Sequence, residues 1–563
     1  MAITTARPWL TSYAEGVPSE IEQPEGSLYD LIRSSVQQYP DHAALEFFER
    51  TTTYAELGAQ IERAAEGLRL LGVQKGDPVA LVLPNCPQHI VAFYAVLRLG
   101  AIVVEHNPLY TPRELRHQFE DHGARVVIAW DKVVETIQAF PADVSVAHIV
   151  SVDVTRAMPF RMRAMLRLPI AKARESRAAL TTKVRDTVRW EELAASAPID
   201  PHIIAPTVDD IALIQYTSGT TGSPKGATLT HANLLANAAQ ARAWVPGIER
   251  GSSVVYAVLP MFHAYGLTLC LTFAMSMGAR LVLFPRFDPD LVLKVVKRHP
   301  PTFLPAVPPI YDRLTKAAAA EGVSLDGISI AISGAMPLSA EVVEPWEAQT
   351  HGYLVEGYGL SETSPVLMAN PVAPNRRAGT VGLPLPSTEV RVVDPEAPGT
   401  DVAAGAEGEL IVRGPQVFSG YWRKPEETEA VFVPATDGGA DWFRTGDSCA
   451  SMPTGSSASS TASRSSSSRA ASTSRRARSK RPSEHTPTSR TAQSSASPTS
   501  TPASRSWLSW CCATVPPSTR PPSAPSPATD SPPTRCRSAW CRPTTCHARS
   551  SARCCAATCA TPS

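Results

Sequence analysis

Cysteine is scarce through most of this chain. Nine of its 11 cysteines lie at or after Cys449, so only Cys86 and Cys270 occur before that point. Two isolated cysteines exclude a disulfide framework and are typical of a reduced compartment. Long apolar runs are also missing: the longest, 264–279, is too short to span a membrane, so we expect a buried element there. The first sixteen residues contain no apolar core of a signal peptide, and we therefore expect a cytoplasmic protein.

Acidic residues are almost absent from the last fifth of the chain. Residues 449–563 contain fourteen Arg and one Lys but only two acids, Glu484 and Asp530, which gives a net charge of +13. The whole chain of 563 residues has a net charge of +1, so residues 1–448 carry −12. A length of 563 residues is too great for one hydrophobic core and indicates several domains.

Residues 448–563, the tail, also lack the residue types that build a core. From Cys449 onward there is no Ile, Phe, Tyr or Asn, and Ser, Thr, Ala, Pro, Arg and Cys dominate. Such a composition cannot bury enough apolar surface to offset the entropy of ordering, so we predict a disordered tail rich in Ser, Arg, Pro and Cys. A genuine basic tail would suit nucleic acid or another partner.

A one-base slip in the reading frame explains the tail better than a genuine tail does. From Cys449 onward only nine residues are not Ser, Pro, Thr, Ala, Cys, Trp, Arg or Gly, the residues whose codons carry G or C in the second position. A G+C-rich gene keeps G or C in third codon positions, and a slip moves those bases into second position. We therefore favour a frameshift and expect no nucleic-acid partner.

The remainder of the chain alternates helical and strand-like segments. Residues 54–71 and 89–99 have helical spacing, whereas 78–83 and 124–129 are short apolar strands. This alternation predicts the fold class α/β, with a large N-terminal domain of two doubly wound sheets. Short strands with Gly and Pro turns at 381–412 add a small distorted β-barrel to the prediction. The predicted units are 1–198, 199–370 with the nucleotide site, the barrel at 371–447 and the disordered tail at 448–563.

A basic insert interrupts the first predicted unit at 156–189. It contains ten basic and two acidic residues among apolar ones. Segments of this composition can lie on anionic membrane surfaces, so peripheral membrane contact is one interpretation. A solvated helix followed by a loop is the alternative.

The most informative segment is 216–226, Tyr-Thr-Ser-Gly-Thr-Thr-Gly-Ser-Pro-Lys-Gly. Its small, hydroxyl-rich residues can surround an anion with backbone N–H groups, and Lys225 adds a point charge for the phosphates of a nucleotide. The spacing is not the Walker pattern, because only two residues separate Gly222 from Lys225 and Gly226 follows where Ser or Thr is required. A strand at 211–215 leads into the loop, which is where α/β folds place ligands. A surface loop without function is the alternative for a generic run of this composition.

Eleven residues in this order resemble the signature loop of the acyl-adenylate-forming (AMP-binding) enzymes, which activate carboxylic acids with ATP. Four further segments resemble motifs of that family in the family's order, within about residues 25–447: 259–266, 333–337, 356–363 and 442–447. Among the substrate classes of the family, the chain looks most similar to fatty-acid CoA ligases, with coumarate-type ligases next.

The resemblance implies a role for each matching residue. His263 would lie between the carboxylate and nucleotide sites, Tyr358 would cover adenine, and Asp447 would bind both ribose hydroxyls. Glu362 would hold Mg²⁺, and the implied catalytic residues are Lys225, His263 and Glu362. The other implied nucleotide-binding residues are Thr217, Ser218, Gly219, Thr220, Thr221, Gly222, Gly334, Ala335, Glu356, Gly357, Gly359 and Ser361.

Several of these residues have a structural interpretation when taken alone. A lone histidine among apolar residues, such as His263, is more often a core residue with its hydrogen bonds satisfied. The pair Ser361 and Glu362 could cap a helix start. A Gly-Asp pair such as Gly446 and Asp447 is usually a turn. None of these alternatives explains the signature loop.

The resemblance implies ATP and Mg²⁺ in the first step, which forms acyl-AMP, and CoA as the thiol that then displaces AMP. The family also uses a lysine from a small C-terminal domain, and that lysine is not legible here. In a shifted frame, 461–474 is compatible with Asp-Arg-Lys-Lys-Glu-Leu-Ile-Ile-Thr-Gly-Gly-Phe-Asn-Val and 548–552 with Gly-Lys-Val-Leu-Arg, which resemble that domain.

The predicted function is therefore a fatty-acid CoA ligase, impaired or inactive in this form. A coumarate-type ligase and a ligase that loads a carrier protein are the alternative enzymes. A nucleotide-binding protein that has lost catalysis is the alternative from another class.

The frameshift can be tested on the gene itself. We expect resequencing across codon 448 to show a one-base insertion or deletion, downstream of which the restored frame encodes the family's C-terminal motifs. An unchanged sequence in independent isolates would contradict the frameshift and leave a genuine basic tail.

Overall fold

The computed structural model describes residues 7–217, 224–451 and 462–464. The strands are β1 (Ala43–Phe47), β2 (Arg50–Thr53), β3 (Pro78–Val82), β4 (Ile102–Glu105), β5 (Val126–Trp130), β6 (His148–Val152), β7 (Val188–Arg189), β8 (Ile211–Thr217), β9 (Lys225–Thr230), β10 (Val254–Ala257), β11 (Arg280–Leu283), β12 (Phe303–Ala306), β13 (Ile330–Ser333), β14 (Tyr353–Gly359), β15 (Val366–Ala369), β16 (Leu383–Pro384), β17 (Glu389–Asp394), β18 (Ala397–Asp401), β19 (Glu407–Arg413), β20 (Gly420–Tyr421), β21 (Phe432–Val433), β22 (Trp442–Ser451) and β23 (Ala462–Arg464).

The α-helices are α1 (Leu28–Gln38), α2 (Tyr54–Leu70), α3 (Pro87–Arg98), α4 (Pro112–His122), α5 (Asp131–Gln138), α6 (Phe160–Met165), α7 (Ala171–Leu180), α8 (Trp190–Leu193), α9 (His231–Trp244), α10 (Ala264–Gly266), α11 (Phe273–Met277), α12 (Pro289–Val296), α13 (Pro308–Glu321), α14 (Ala340–Thr350) and α15 (Pro425–Glu429). Short 3₁₀ helices occupy Pro8–Ser12, Val154–Ala157 and Ser361–Thr363, and Leu267–Thr272 is a π-helix.

Two large sheets form most of the molecule. The eight-stranded sheet has the order β20-β9-β8-β4-β3-β5-β6-β7, with parallel pairing from β8 to β7 and antiparallel pairing at the β9 and β20 edge. The nine-stranded sheet has the order β16-β15-β14-β13-β12-β10-β11-β1-β2, and it is parallel from β14 to β1. The central strands are buried on both faces, which is typical of parallel sheets covered by helices.

The third sheet is small, antiparallel and barrel-like, with the order β18-β17-β19-β22-β21 and β23 paired to β22. The predicted α/β class with two large sheets and a small barrel is therefore confirmed.

Strand β22 runs on to Ser451, and Cys449, opposite Gly408, is buried. Residues 448–451 and 462–464, which the sequence assigned to the disordered tail, form strands because backbone pairing is open to almost any residue. The rest of the tail lies outside the described residues.

The sheets cut across the units predicted from the sequence. Strands β1 and β2 lie within 1–198 but join the nine-stranded sheet, where Leu45 is opposite Leu281. Strands β8 and β9 lie within 199–370 but join the eight-stranded sheet. Each apolar strand pairs where it can be buried on both faces, and position along the chain does not specify that choice.

The apolar run at 264–279 is buried, as predicted, and the structure shows that most of it is helical. It comprises α10, the π-helix and α11, and all residues from Ala264 to Met277 are buried. Within the residues that the structure describes, no helix combines the length and the apolarity that a bilayer crossing needs.

Asn85 connects the two large sheets beside the segment that leads to His263. Its Nδ2 donates to the carbonyls of Ala257 at 2.9 Å and Leu259 at 2.7 Å, and its Oδ1 accepts the Met261 N–H at 2.8 Å. Asn85 is 4% exposed, so these backbone groups have little access to water. One side chain thereby fixes the backbone from β10 to His263.

We expect Asn85→Ala to lower the free energy of unfolding by about 2–4 kcal/mol, because it leaves buried backbone groups without partners. Chemical denaturation followed by circular dichroism measures this. Asn375→Ala is the matched control, since Asn375 is exposed and makes one bond to the Ser12 carbonyl. Equal stability of the two variants would contradict the bridging role of Asn85.

Candidate active site

The signature loop lies at the turn between β8 and β9. Strand β8 ends at Thr217, which pairs with Lys225 across the hairpin. The predicted loop residues Ser218, Gly219, Thr220, Thr221 and Gly222 lie outside the described residues. The loop therefore follows the carboxyl end of a strand that is parallel to β4, as the sequence predicts.

Lys225 is held near the base of this hairpin. Its Nζ lies 3.4 Å from Glu427 Oε2 and 5.1 Å from the centroid of the Tyr421 ring. Both partners follow the barrel strand β19 in the chain, and β20, which contains Tyr421, pairs antiparallel with β9. The ion pair and the ring together hold the Lys225 ammonium group at the start of β9, directly after the signature loop.

Glu362 is the buried carboxylate of the site. It belongs to the 3₁₀ helix Ser361–Thr363, and its Oε1 accepts a hydrogen bond from the Tyr421 hydroxyl at 3.0 Å. Burial raises the pKa of Glu362 above its usual value, and the nearby Asp447 carboxylate raises it further. Hydrogen bonds from the backbone and Tyr421, together with the charge of Lys225, favour the ionised form. A bound cation would favour it more.

Tyr358 and Asp447, which the sequence assigns to adenine and ribose, are in direct contact. The Tyr358 hydroxyl donates to Asp447 Oδ2 at 2.6 Å. Tyr358 lies in β14 of the nine-stranded sheet, and Asp447 lies in β22 of the barrel-like sheet. The contact joins two sheets at one point, as a shared ligand site requires.

Close backbone approach explains why glycine occurs in the motifs 333–337 and 356–363. A Cβ at Gly359 would lie 1.7 Å from the Pro365 carbonyl oxygen, so only glycine fits there. A Cβ at Gly334 would lie 3.0 Å from the Tyr265 ring, and Ala335 beside it has a positive φ of 64°. The loop after β13 is therefore a tight backbone turn against an aromatic ring.

The remaining predicted residues lie on the same elements. Glu356 and Gly357 are in β14, where the Glu356 carboxylate accepts the Leu338 N–H at 3.2 Å. Ser361 is the first residue of the 3₁₀ helix and is partly exposed. These positions place the whole 356–363 motif along one strand end and the turn that follows it.

His263 begins the buried helical segment. Its Nδ1 accepts the Tyr265 N–H at 3.4 Å, and desolvation lowers the pKa of His263 to about 4. The imidazole is therefore neutral at pH 7. The preceding residue is held from the eight-stranded sheet, because Gln215 Nε2 donates to the Phe262 carbonyl at 3.1 Å.

Tyr421 and Glu427 were missed by the sequence reasoning. Tyr421 contacts both Glu362 and Lys225, and Glu427 pairs with Lys225. The aromatic residue directly after Gly420 is a weak sequence signal that could have indicated Tyr421. Gln215, at the end of a buried strand, carries a similar signal because a buried amide needs partners.

The sequence of this chain is similar to those of known proteins. Residues 32–422 match the AMP-binding enzyme family. A long-chain-fatty-acid–CoA ligase of Bacillus subtilis (strain 168) is 37% identical over 448 residues, which cover 78% of this chain and 77% of the relative. The 4-coumarate–CoA ligase 3 of Oryza sativa subsp. japonica is 33% identical and covers 70% of this chain and 66% of the relative. The chain therefore belongs to the AMP-binding enzyme family.

Solved structures show the same fold. The long-chain-fatty-acid-CoA ligase FadD1 from Archaeoglobus fulgidus has a TM-score of 0.63 and 25% identity, with 78% of this chain and 84% of that chain covered. The anthranilate CoA ligase AuaEII in complex with anthranoyl-AMP has a TM-score of 0.66 at 22% identity, with 78% and 77% covered. The predictions of the family and of the acyl-CoA ligase class are confirmed.

The Tyr421 hydroxyl gives a pH-dependent prediction. We expect Tyr421→Phe to raise the pKa of Glu362, because the lost hydrogen bond favours the ionised form while the ring over Lys225 remains. The resemblance assigns Mg²⁺ to the ionised Glu362 carboxylate. Since protonation would remove that charge, Mg²⁺-dependent ATP binding should fail on acidification at a pH about half to one unit higher than in the parent.

Calorimetric titration of ATP with Mg²⁺ between pH 5.5 and 8 measures the shift. Tyr353→Phe is the control, because Tyr353 lies at the opposite end of β14. Identical pH profiles for Tyr421→Phe and the parent would contradict the coupling between Tyr421 and Glu362.

Proposed function

We propose that this chain is an ATP-dependent fatty-acid CoA ligase that forms acyl-AMP and transfers the acyl group to CoA. The observation that carries the proposal is the convergence of Lys225, Glu362, Tyr358 and Asp447 at one junction of three sheets. The long-chain-fatty-acid–CoA ligases among its relatives support the substrate class.

The residues of the site fit Mg²⁺ bound together with a nucleotide. Groups of three or more ligating side chains that could hold a metal by themselves are absent from the described residues. Mg²⁺ commonly uses one or two carboxylates and completes its shell with phosphate oxygens and water. Glu362 supplies one buried carboxylate, so it would hold the ion against the ATP phosphates, where the ion neutralises charge on the phosphate oxygens.

The other side chains of the site each have a proposed role. Tyr358 and Asp447 would hold adenosine, and Lys225 with the loop at 218–223 would hold the phosphates. A carboxylate oxygen of the acid attacks the α-phosphorus, pyrophosphate leaves, and CoA thiolate then displaces AMP from the acyl carbon. The neutral His263 adds no charge near the carboxylate, and it could donate a hydrogen bond to an acid oxygen through Nε2. Lys225 would stabilise the charge that develops on the phosphates.

The tail bears on whether this chain completes the reaction. Strand β22 carries Asp447 and ends at Ser451, so the nucleotide residues all precede the altered composition. We propose that the frameshift replaces the family's small C-terminal domain and its lysine, and that this chain binds ATP but makes little acyl-CoA.

A coumarate-type ligase is the second candidate, and the rice 4-coumarate–CoA ligase among the relatives favours it. A panel of fatty and hydroxycinnamic acids, assayed with the frame restored, separates the two. Loading of a carrier protein in place of CoA, or ATP binding without adenylation of any acid, would overturn the CoA-ligase proposal.

We expect Lys225→Ala and Glu362→Gln to slow acid-dependent ATP–pyrophosphate exchange by about ten- to a thousandfold in the frame-restored protein. Each variant removes one charge that acts on the phosphates. Lys297→Ala and Glu321→Gln are matched controls, because this pair lies on the surface at 4.0 Å from each other. Full exchange activity in both site variants would overturn the assignment.

The frame-restored protein and this chain should differ in turnover far more than in nucleotide binding. We expect acyl-CoA formation from fatty acids only, or almost only, in the restored form, because the proposed frameshift would remove the lysine of the small C-terminal domain and the cover that this domain gives the site against water. The two measurements are ATP binding by each form and acyl-CoA formation, which mass spectrometry detects. Comparable turnover would contradict the role given to the C-terminal domain.

A further inference from the structure

The basic insert forms an apolar and cationic surface outside the nucleotide site. Within the described part of the chain, eight large hydrophobic side chains are exposed, and four of them fall in the eleven-residue segment 160–170. These four are Phe160, Met165, Leu168 and Ile170, with exposed fractions from 47% to 80%. Scattered single apolar residues need no explanation, but a cluster of this kind marks an interaction surface.

The segment is anchored by its inner side chains. Met162 and Leu166 are partly buried and pack against the main hydrophobic core. They are four residues apart and therefore lie on one side of the α6 turn. With that side packed on the core, α6 has no buried residue, and Phe160 is 80% exposed. Packing of Met162 and Leu166 on the core thus fixes the segment, and the four large apolar side chains remain exposed.

Most cations of the insert lack a carboxylate partner among the residues that the structure describes. The ion pairs of this region lie at its ends, between Arg156 and Asp153 and between Arg189 and Glu192. Between them, eight cations have no ion pair with any described residue, and six of the eight lie within 160–177: Arg161, Arg163, Arg167, Lys172, Arg174 and Arg177. Glu175 is the one acidic residue from 160 to 177. This cationic surface stands out because residues 1–448 carry −12 overall.

We propose that residues 160–177, the insert surface, dock peripherally on an anionic lipid bilayer. The four apolar side chains enter the boundary between head groups and acyl chains, and the six cations contact lipid phosphates. Binding of this kind combines insertion of apolar side chains with attraction between cations and anionic lipids. The insert surface has both apolar and cationic side chains, so it fits a bilayer better than a polyanion, which offers no apolar phase. The docking is independent of the acid that the enzyme uses.

Depth of insertion is the decisive measurement, because the tail also carries +13 and would attract anionic vesicles by charge alone. We would test the Phe160→Trp variant of the full chain with vesicles of phosphatidylcholine and phosphatidylglycerol brominated on the acyl chains. We expect quenching of the added fluorescence at residue 160. Ile204→Trp is the matched control, since Ile204 is exposed but lies outside the insert, and it should not be quenched.

Affinity gives the second measurement. We expect Phe160→Ser with Ile170→Ser to lower the vesicle partition coefficient by roughly ten- to a hundredfold at 0.5 M salt, where attraction of the tail is screened. Leu70→Ser with Ile204→Ser should leave it unchanged. ATP–pyrophosphate exchange with a water-soluble acid should be equal in all variants, so failure of docking and failure of the proposed function are distinguishable.

Four results would overturn the proposal. They are unquenched fluorescence of the Phe160→Trp variant when it is bound, equal partitioning of the insert and control variants, equal binding to neutral and anionic vesicles, and a lipid-free dimer that the insert variants abolish. The last result would assign the insert surface to contact between copies of this chain. Unchanged circular dichroism and melting temperature of the variants show that the measurements report the surface and not the fold.

Discussion

The function that we propose depends on keeping one buried carboxylate, that of Glu362, ionised. Glu362 lies near the second carboxylate of Asp447, and both burial and this neighbour disfavour its charge. Lys225 and the Tyr421 hydroxyl oppose that effect. A divalent cation beside the carboxylate would oppose that effect further. Loss of the Lys225 charge or of the Tyr421 hydroxyl would raise the pKa of Glu362 further.

Tyr421 joins the parts of the molecule that create this balance. It follows β19 of the barrel-like sheet, yet β20 pairs with β9 at the edge of the eight-stranded sheet. Its hydroxyl reaches the turn after β14 of the nine-stranded sheet, and its ring covers Lys225. Asn85 has a comparable role on the acid side, where it holds the backbone that leads to His263. Single polar side chains thus set the relative positions of the functional segments.

The two basic parts of the chain differ in physical character. The tail carries +13 but few large apolar residues. The insert combines cations with exposed apolar side chains on an anchored helix. Positive charge by itself does not distinguish the tail from the insert. Only the second offers both contributions that bind an amphipathic segment to a bilayer.

The sequence by itself determined the features that are local in the chain. These are the strand that leads into the signature loop, the motif at 356–363, the buried run at 264–279 and the α/β class, because short-range spacing and composition specify them. The tertiary structure decided which strand joins which sheet, so β1 and β8 crossed the predicted boundaries. It also chose Tyr421 and Glu427 as partners of Lys225, more than 190 residues away in the chain. Long-range contacts depend on how buried faces and charges pair in space, and the residues between them do not encode that pairing.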